Sequence, residues 1–495
     1  MDSIFKKTYL TLIFFIPIFF INNQWDGVII SYGFDIHNLD GVKNWYFESS
    51  SNFQFFIIQI LFTIKKITNF SNEFIFDIFT LLTLYLFCNE IKKFFKRVFN
   101  FNQYFENYFF LILITFPIWN FITEINLALY VFCFYLAILG YNLFNYKILH
   151  QRLIGIFLIF LSFSIKSNFA FIFAIAFLDF SVNHILKKRN SVFNLTIIFS
   201  ISLLGYLINS NFFKPYGLYE GYNEASFNSL RLNIEIFLDY FSFFVFYLSL
   251  PFITILILKF RLSKKFKFFN KENNLILFFI IIFTSISLFP YYLVQKSTDI
   301  FNFTDFESRQ VFSISLGASF ILVFFLNELS KYLSKRAINY LAIFFIVQNL
   351  LLLMPSLFMK INFSLIDTNL VKNFSKLEKP KSGYILILND KIQKNTYASN
   401  FILYRSYGES KWFSKIIPSK NFDEDIKDLK IYFSSDKIIL KNDDYKIKYA
   451  ANNFEDNCVT IYEITNHLSN VNLIMKSYIF NQEKYFKVKK IKSKC

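Results

Sequence analysis

Residues Leu275 to Leu293 read LILFFIIIFTSISLFPYYL, nineteen positions without one charged side chain. At 1.5 Å of rise per residue, a helix of that length crosses about 30 Å, the thickness of the hydrocarbon core of a bilayer. The pattern recurs at Val311 to Leu326 and at Ile338 to Phe358. Over 495 residues, 55% are hydrophobic and 18% charged, and the mean hydropathy is +0.39, which excludes an ordinary soluble domain. The 74 Phe come with an excess of Ile, Asn and Lys, a bias of coding as much as of function, and read as lipid-facing filler.

The formal charge of +17 sits in short clusters between apolar blocks, not along one soluble face, so nucleic acid is not the expected partner. Basic residues flanking membrane spans set orientation instead. Lys6 and Lys7 precede the first block, Thr8 to Ile21. Five further clusters then fall on the same side: Lys92 to Arg97, Lys147 with Arg152, Lys187 to Arg189, Arg261 to Lys267, and Lys331 to Arg336. The spans that satisfy this alternation are about 8–23, 73–91, 106–122, 125–146, 153–166, 169–185, 192–209, 237–259, 275–294, 311–329 and 337–358. That is eleven, with the N-terminus cytoplasmic and the C-terminus outside. Phe53 to Ile64 is too short to cross and would reverse every later cluster, so it reads as an interfacial helix on the outer face.

Past residue 358 the composition changes to mixed charge with short alternating segments such as Tyr384 to Leu388 and Val459 to Ile464. The expected fold is therefore an all-α polytopic membrane domain over 1–358, including an external loop at 24–72, with a small external α/β or α+β domain over 359–495. The four Cys have no metal-ligand spacing. Cys88 and Cys133 fall within helices, and Cys458 and Cys495 stand apart in the tail, where an oxidising compartment leaves a disulfide open to them. No phosphate-binding glycine loop, zinc-protease or nucleophile-elbow motif occurs.

Acidic residues gather in the external segments. Asp26, Asp35, Asp40 and Glu48 lie in 24–52, and Asp299, Asp305, Glu307 and Arg309 lie in 296–310. The order of parts in the first hundred residues resembles the GT-C superfamily of membrane glycosyltransferases. Its first helix ends in an external loop opening with an acidic residue, here Asn22-Asn23-Gln24-Trp25-Asp26-Gly27. An external helix follows, here Phe53 to Ile64, and then a second span with a basic end, here Phe74 to Arg97. The hairpin Leu153 to Phe163, Lys166-Ser167-Asn168, Phe169 to Leu178 is similar to paired helices of that family. The acidic pair often found in its first loop is here Asp26-Gly27, and its proline-rich stretch is here Ser49-Ser50-Ser51-Asn52.

The resemblance implies an enzyme that moves a sugar from a polyprenyl-phosphate donor to a glycan, lipid or protein acceptor, on the outer face of what is expected to be a bacterial inner membrane. Such a transfer needs a carboxylate to take the acceptor's proton and a cation for the departing phosphate. Asp26, just past the first span, is the candidate base; it also reads as a cap for the segment starting at Gly27. Asp40 is the second catalytic candidate, and Asp35 a substrate-binding one, although both also read as turn and cap residues. Arg309, with Asp305, is placed to meet a headgroup phosphate or to anchor the interface. Lys166 interrupts an apolar hairpin, and Glu124 stands at an external turn; phosphate or sugar binding competes there with snorkelling and with plain turn chemistry. Tyr216, Tyr219 and Tyr222 could stack on a sugar but also suit an interface. No cofactor is called for, and a divalent metal is left open. A lipid-linked oligosaccharide flippase or a polysaccharide polymerase are the competing readings. A transporter should show buried charges and broken helices in the membrane.

Overall fold

The computed structural model describes residues 15–23, 27–186, 192–221, 271–294, 312–381, 383–388, 396–409, 412–417, 459–466 and 486–494, with scattered helical positions between 234 and 257. The first element among the described residues is a short 3₁₀ turn at Ile16–Phe20. Where sequence reading expected an open external loop, two helices form: α1, Gly27–Asp35, and α2, Asp40–Glu48, joined through His37 at a positive φ of 54°. Helix α3, Asn52–Thr68, follows and stops at Asn69, whose left-handed backbone closes it. Helix α4, Asn72–Phe99, begins where the Ser71 hydroxyl accepts the Phe74 N–H, and ends at Asn100, again left-handed.

The segment 106–122 is not a single helix. Helix α5, Gln103–Ile114, breaks before Pro117, and a 3₁₀ stretch, Pro117–Thr123, carries the chain to Glu124. Proline lacks the N–H that would continue the ladder. Then come α6, Ile125–Phe144; α7, Leu149–Ser162; α8, Asn168–Ile185; α9, Val192–Phe212; α10, Lys271–Leu293; α11, Phe312–Leu329; and α12, Lys335–Phe374. Among the described residues, seven helices (α4, α6, α8, α9, α10, α11 and α12) are long and apolar enough to cross a membrane, and α7 is a shorter apolar helix. The chain is a multi-pass membrane protein. Residues 8–14 and most of 237–259, where two further spans were expected, lie outside the described residues.

The expectation that phenylalanine is lipid-facing filler is corrected by the bundle core. Helix α11 is buried along its length, and Phe320 on it stacks with Phe95 of α4 and Phe109 of α5 at centroid distances of 5.6 and 5.2 Å. Phe95 and Phe109 themselves stack at 4.2 Å. Lipid tails are as apolar as Phe, so contact geometry rather than water exclusion favours this packing. Elsewhere the helices approach through glycine. A β-carbon on Gly140 of α6 would lie 2.6 Å from the Gly155 carbonyl oxygen of α7, and one on Gly155 would meet the Gly140 oxygen at the same distance. Gly155→Leu should force the two backbones apart and cost about 1–3 kcal/mol. A lower melting temperature of the detergent-purified protein would report it, and an unchanged melt would contradict the contact.

The basic residues at the C-terminal end of α4 and just after α11 meet buried acids, while the clusters at 187–189 and 261–267 lie outside the described residues. Lys93 pairs with Glu90 at 2.5 Å, Lys96 with Glu106 at 3.2 Å, Arg97 with Asp179 at 3.3 Å, and Lys331 with Glu328 at 2.7 Å. At the opposite end, α1, α2, α3 and the starts of α4 and α6 form a second core around Phe34, Trp45, Ile58 and Phe76. Helix α3 buries Phe55, Ile58 and Leu61 there and leaves a stripe of Phe56, Ile60, Ile64 and Ile67 exposed, the pattern of an interfacial helix.

Helix α12 runs unbroken past residue 358, so residues 359–374 continue the last apolar helix. Leu370 and Phe374 then enter the core of the tail domain. That domain is α/β: β1 (Gly383–Leu388), α13 (Thr396–Tyr407), β2 (Trp412–Ile417), β3 (Val459–Asn466) and β4 (Phe486–Lys494) make a sheet ordered β2-β1-β3-β4. β1 is parallel to both neighbours, and β4 runs antiparallel to β3. Cys458 and Cys495 lie outside the described residues.

Candidate functional site

The end of the bundle away from the basic clusters holds a buried polar group built from three distant parts of the chain. The break at Pro117 delivers Thr123 and Glu124 to the start of α6. There the Glu124 carbonyl accepts the N–H groups of Leu127 (3.0 Å) and Ala128 (2.9 Å), while its side chain makes no capping bond. Glu124, read from sequence as a binding candidate or a plain turn residue, is 0% exposed. Its carboxylate faces Gly27, the first residue of α1: a β-carbon there would lie 2.5 Å from Glu124 Oε2 and 2.7 Å from Asn23 Oδ1. Only glycine lets the backbone come this close.

Asn23 Oδ1 accepts the Ile125 N–H at 3.0 Å, and the Asn22 N–H donates to Ser364 Oγ of α12 at 2.7 Å. One turn before Ser364, the Lys360 ammonium donates to Thr123 Oγ1 at 2.9 Å, and Lys360 is 1% exposed. Residues 22–23 and 27, which bracket Asp26, are therefore fixed among Thr123, Glu124, Lys360 and Ser364. Asp26, Asp305 and Arg309 themselves lie outside the described residues. Sequence reading missed Lys360 by closing the last span at Phe358, two residues short. The signal was available: one lysine within an apolar run reaching Ile366. Asp77, buried one turn beyond Glu73 in α4, was likewise passed over as part of a plain span.

Lys166 stands exposed in the turn between α7 and α8. Its neighbour Ser167 is hydrogen bonded to Tyr130 of α6 at 2.8 Å, and Tyr130 is bonded in turn to Tyr291 of α10. Lys166 thus belongs to the same end of the bundle as Glu124, six residues and roughly 9 Å along α6 from Tyr130.

Asp35 and Asp40 do not join Glu124. Asp40 opens α2, exposed, with its N–H donating to Asn38 Oδ1 at 2.7 Å, and the N-cap position before it is Leu39. Asp35 ends α1, roughly 12 Å from Gly27 along the helix, and sits in a junction with α3, α4 and α13. Its Oδ1 accepts from Asn72 Nδ2 at 2.6 Å, and Lys65 Nζ is 3.9 Å away while donating to the Phe34 carbonyl at 2.7 Å. Burial raises the Asp35 pKa, and the nearby Arg405 opposes the rise; burial also lowers the Lys65 ammonium pKa, opposed by Asp35. Tyr219, one of the three tyrosines open to sugar stacking, bonds Trp45 Nε1 instead, tying its loop to α2.

A raised carboxyl binds protons in the folded state that the unfolded chain has already lost. Stability should therefore fall as pH climbs from the ordinary value of 3.8 through the raised one. Asp35→Asn, which can still accept from Asn72, should flatten that slope in melting curves recorded between pH 4 and pH 8. An equally steep slope in the variant would place the titration elsewhere.

Comparison with protein-family models, with curated proteins and with solved structures gives no match for this chain, so its geometry alone carries a functional reading.

Proposed function

We propose that this protein transfers a sugar from a polyprenyl-phosphate carrier to a hydroxyl-bearing acceptor at the Glu124 end of the bundle, the end taken as external by the basic-residue rule. The observation that carries the reading is the fixing of Asn23 and Gly27, on either side of Asp26, against Glu124 and beside the Thr123–Lys360 bond. It brings the chain that bears a carboxylate next to a buried cation, the pair of charges that transfer from a lipid-linked phosphate requires. Asp26 takes the acceptor's proton as the acceptor oxygen bonds to the anomeric carbon. The bond from that carbon to the phosphate oxygen breaks, and the polyprenyl phosphate leaves with its charge matched by Lys360, with Lys166 and Arg309 as further cations.

A flippase reading has support from two features: the helix broken at Pro117 and the lysine buried in α12. One experiment separates the two. The full chain is reconstituted into liposomes with labelled polyprenyl-phosphate sugars and a hydroxyl acceptor. Transfer moves label to the acceptor and releases one polyprenyl phosphate per sugar. Label that crosses the bilayer but stays on the lipid would overturn the enzyme reading.

A further inference from the structure

The tail domain touches the helices that form both walls of the Glu124 site. On one side it is continuous with α12, the helix of Lys360: Leu370 and Phe374 pack with Ile385, Leu403 and Tyr462 in the tail's core, and Ser406 Oγ donates to the Val371 carbonyl at 3.3 Å. Ten residues of helix, roughly 15 Å, separate Lys360 from Leu370. On the other side the tail reaches α1, the helix that begins at Gly27. Tyr404 of α13 stands edge-on to Tyr32 at 4.9 Å, and Phe401 lies edge-on to the same ring at 6.4 Å while belonging to the core of α1 to α3. Beside these rings, Arg405 pairs with Glu73 of α4 at 2.6 Å. Asn72, the residue before Glu73, binds both the Ser31 carbonyl and the Asp35 carboxylate of α1.

From these contacts we infer that the tail domain is a clamp, with Arg405 as a positioning residue: by holding the far end of α1 against α4 while rooted in α12, it fixes the spacing between Gly27 and Lys360. The consequence for catalysis rests on the function proposed above, whereas the clamp itself does not. The aromatic contacts supply area and shape, and the ion pair supplies register, since guanidinium and carboxylate meet only in a narrow range of geometries.

The test uses the full chain in detergent micelles. Hydrogen exchange is read by peptide for Arg405→Ala, for Arg405→Lys, and for the exchanged pair Glu73→Arg with Arg405→Glu. Arg405→Ala should speed exchange about tenfold in 27–35 and in 396–407, as loss of a local contact does, and leave 312–329 in the bundle core unchanged. The exchanged pair should restore protection, and Arg405→Lys should restore it in part. If 27–35 keeps its protection in Arg405→Ala, or if the exchanged pair gives no recovery, the clamp is refuted. Transfer measured on the same samples reads its consequence: turnover should fall with exposure of 27–35 and return with the exchanged pair. Absence of transfer in every sample, parent included, would overturn the proposed function and leave the clamp to be judged on exchange. Turnover unaffected by exposed α1 would overturn the positioning role.

Discussion

Asp26→Asn should lower the turnover of sugar transfer by roughly 10²–10⁴-fold, the usual worth of a general base, with the yield of folded protein unchanged. Asn keeps the size of Asp and most of its hydrogen bonding, so an Asp26 that only caps α1 would tolerate the change. A base would not, because the amide cannot accept the acceptor's proton. The neighbours are already held, Asn23 by the Ile125 N–H and Gly27 against Glu124, so the variant alters one group in a fixed setting. Near-normal turnover in reconstituted vesicles would remove Asp26 as the base. Glu124, the carboxylate against Gly27, would then be the next candidate, ahead of Asp35 and Asp40, which stand in other surroundings.

Lys360→Met should reduce transfer by roughly 10²–10³-fold, comparable to losing one preorganised donor to a developing negative charge. Methionine retains most of the apolar stem and so most of the packing of α12, but neither the charge nor the bond to Thr123 Oγ1. The bland alternative is a lysine that merely satisfies buried polar groups. That role predicts a shifted melting temperature with transfer rates intact, since replacing a buried charge by an apolar side chain is often neutral or stabilising. Rates measured against donor concentration separate the two. Loss of kcat/KM without loss of folded protein supports the cation, and unchanged kinetics with an altered melt refutes it.

Long apolar runs made most of the bundle legible, because a bilayer demands length and low charge of each span and a sequence displays both. The same criterion hid the break at Pro117: α5 and the 3₁₀ stretch after it are enclosed by other helices, so neither has to cross on its own, and the apolar composition looks the same. Basic clusters are legible because they stand directly beside the apolar runs. Their buried acidic partners Glu90, Glu106, Asp179 and Glu328 went unread, since pairing across helices depends on rotation about each axis. For the site, Glu124 is legible as a position but its burial is not, because that depends on which helices pack over the turn, and Lys360 lies beyond a span boundary drawn from composition. Asp35 and Asp40 read in the sequence as site candidates and as cap or turn residues alike, and only the structure shows that α1 carries Asp35 away from Gly27 to accept from Asn72.

The stack of Phe95, Phe109 and Phe320 also sets a schedule for assembly during synthesis. Phe320 emerges roughly 200 residues after Phe109, a delay of about 10–40 s at ordinary translation rates. Through that interval the aromatic faces of α4 and α5 are covered by lipid or by the insertion machinery, and the newborn half-bundle has an open seam where α11 will lodge. Substitutions in α11 should therefore act late, stalling a partly built protein in the membrane and exposing it to quality-control proteases before the tail has left the ribosome.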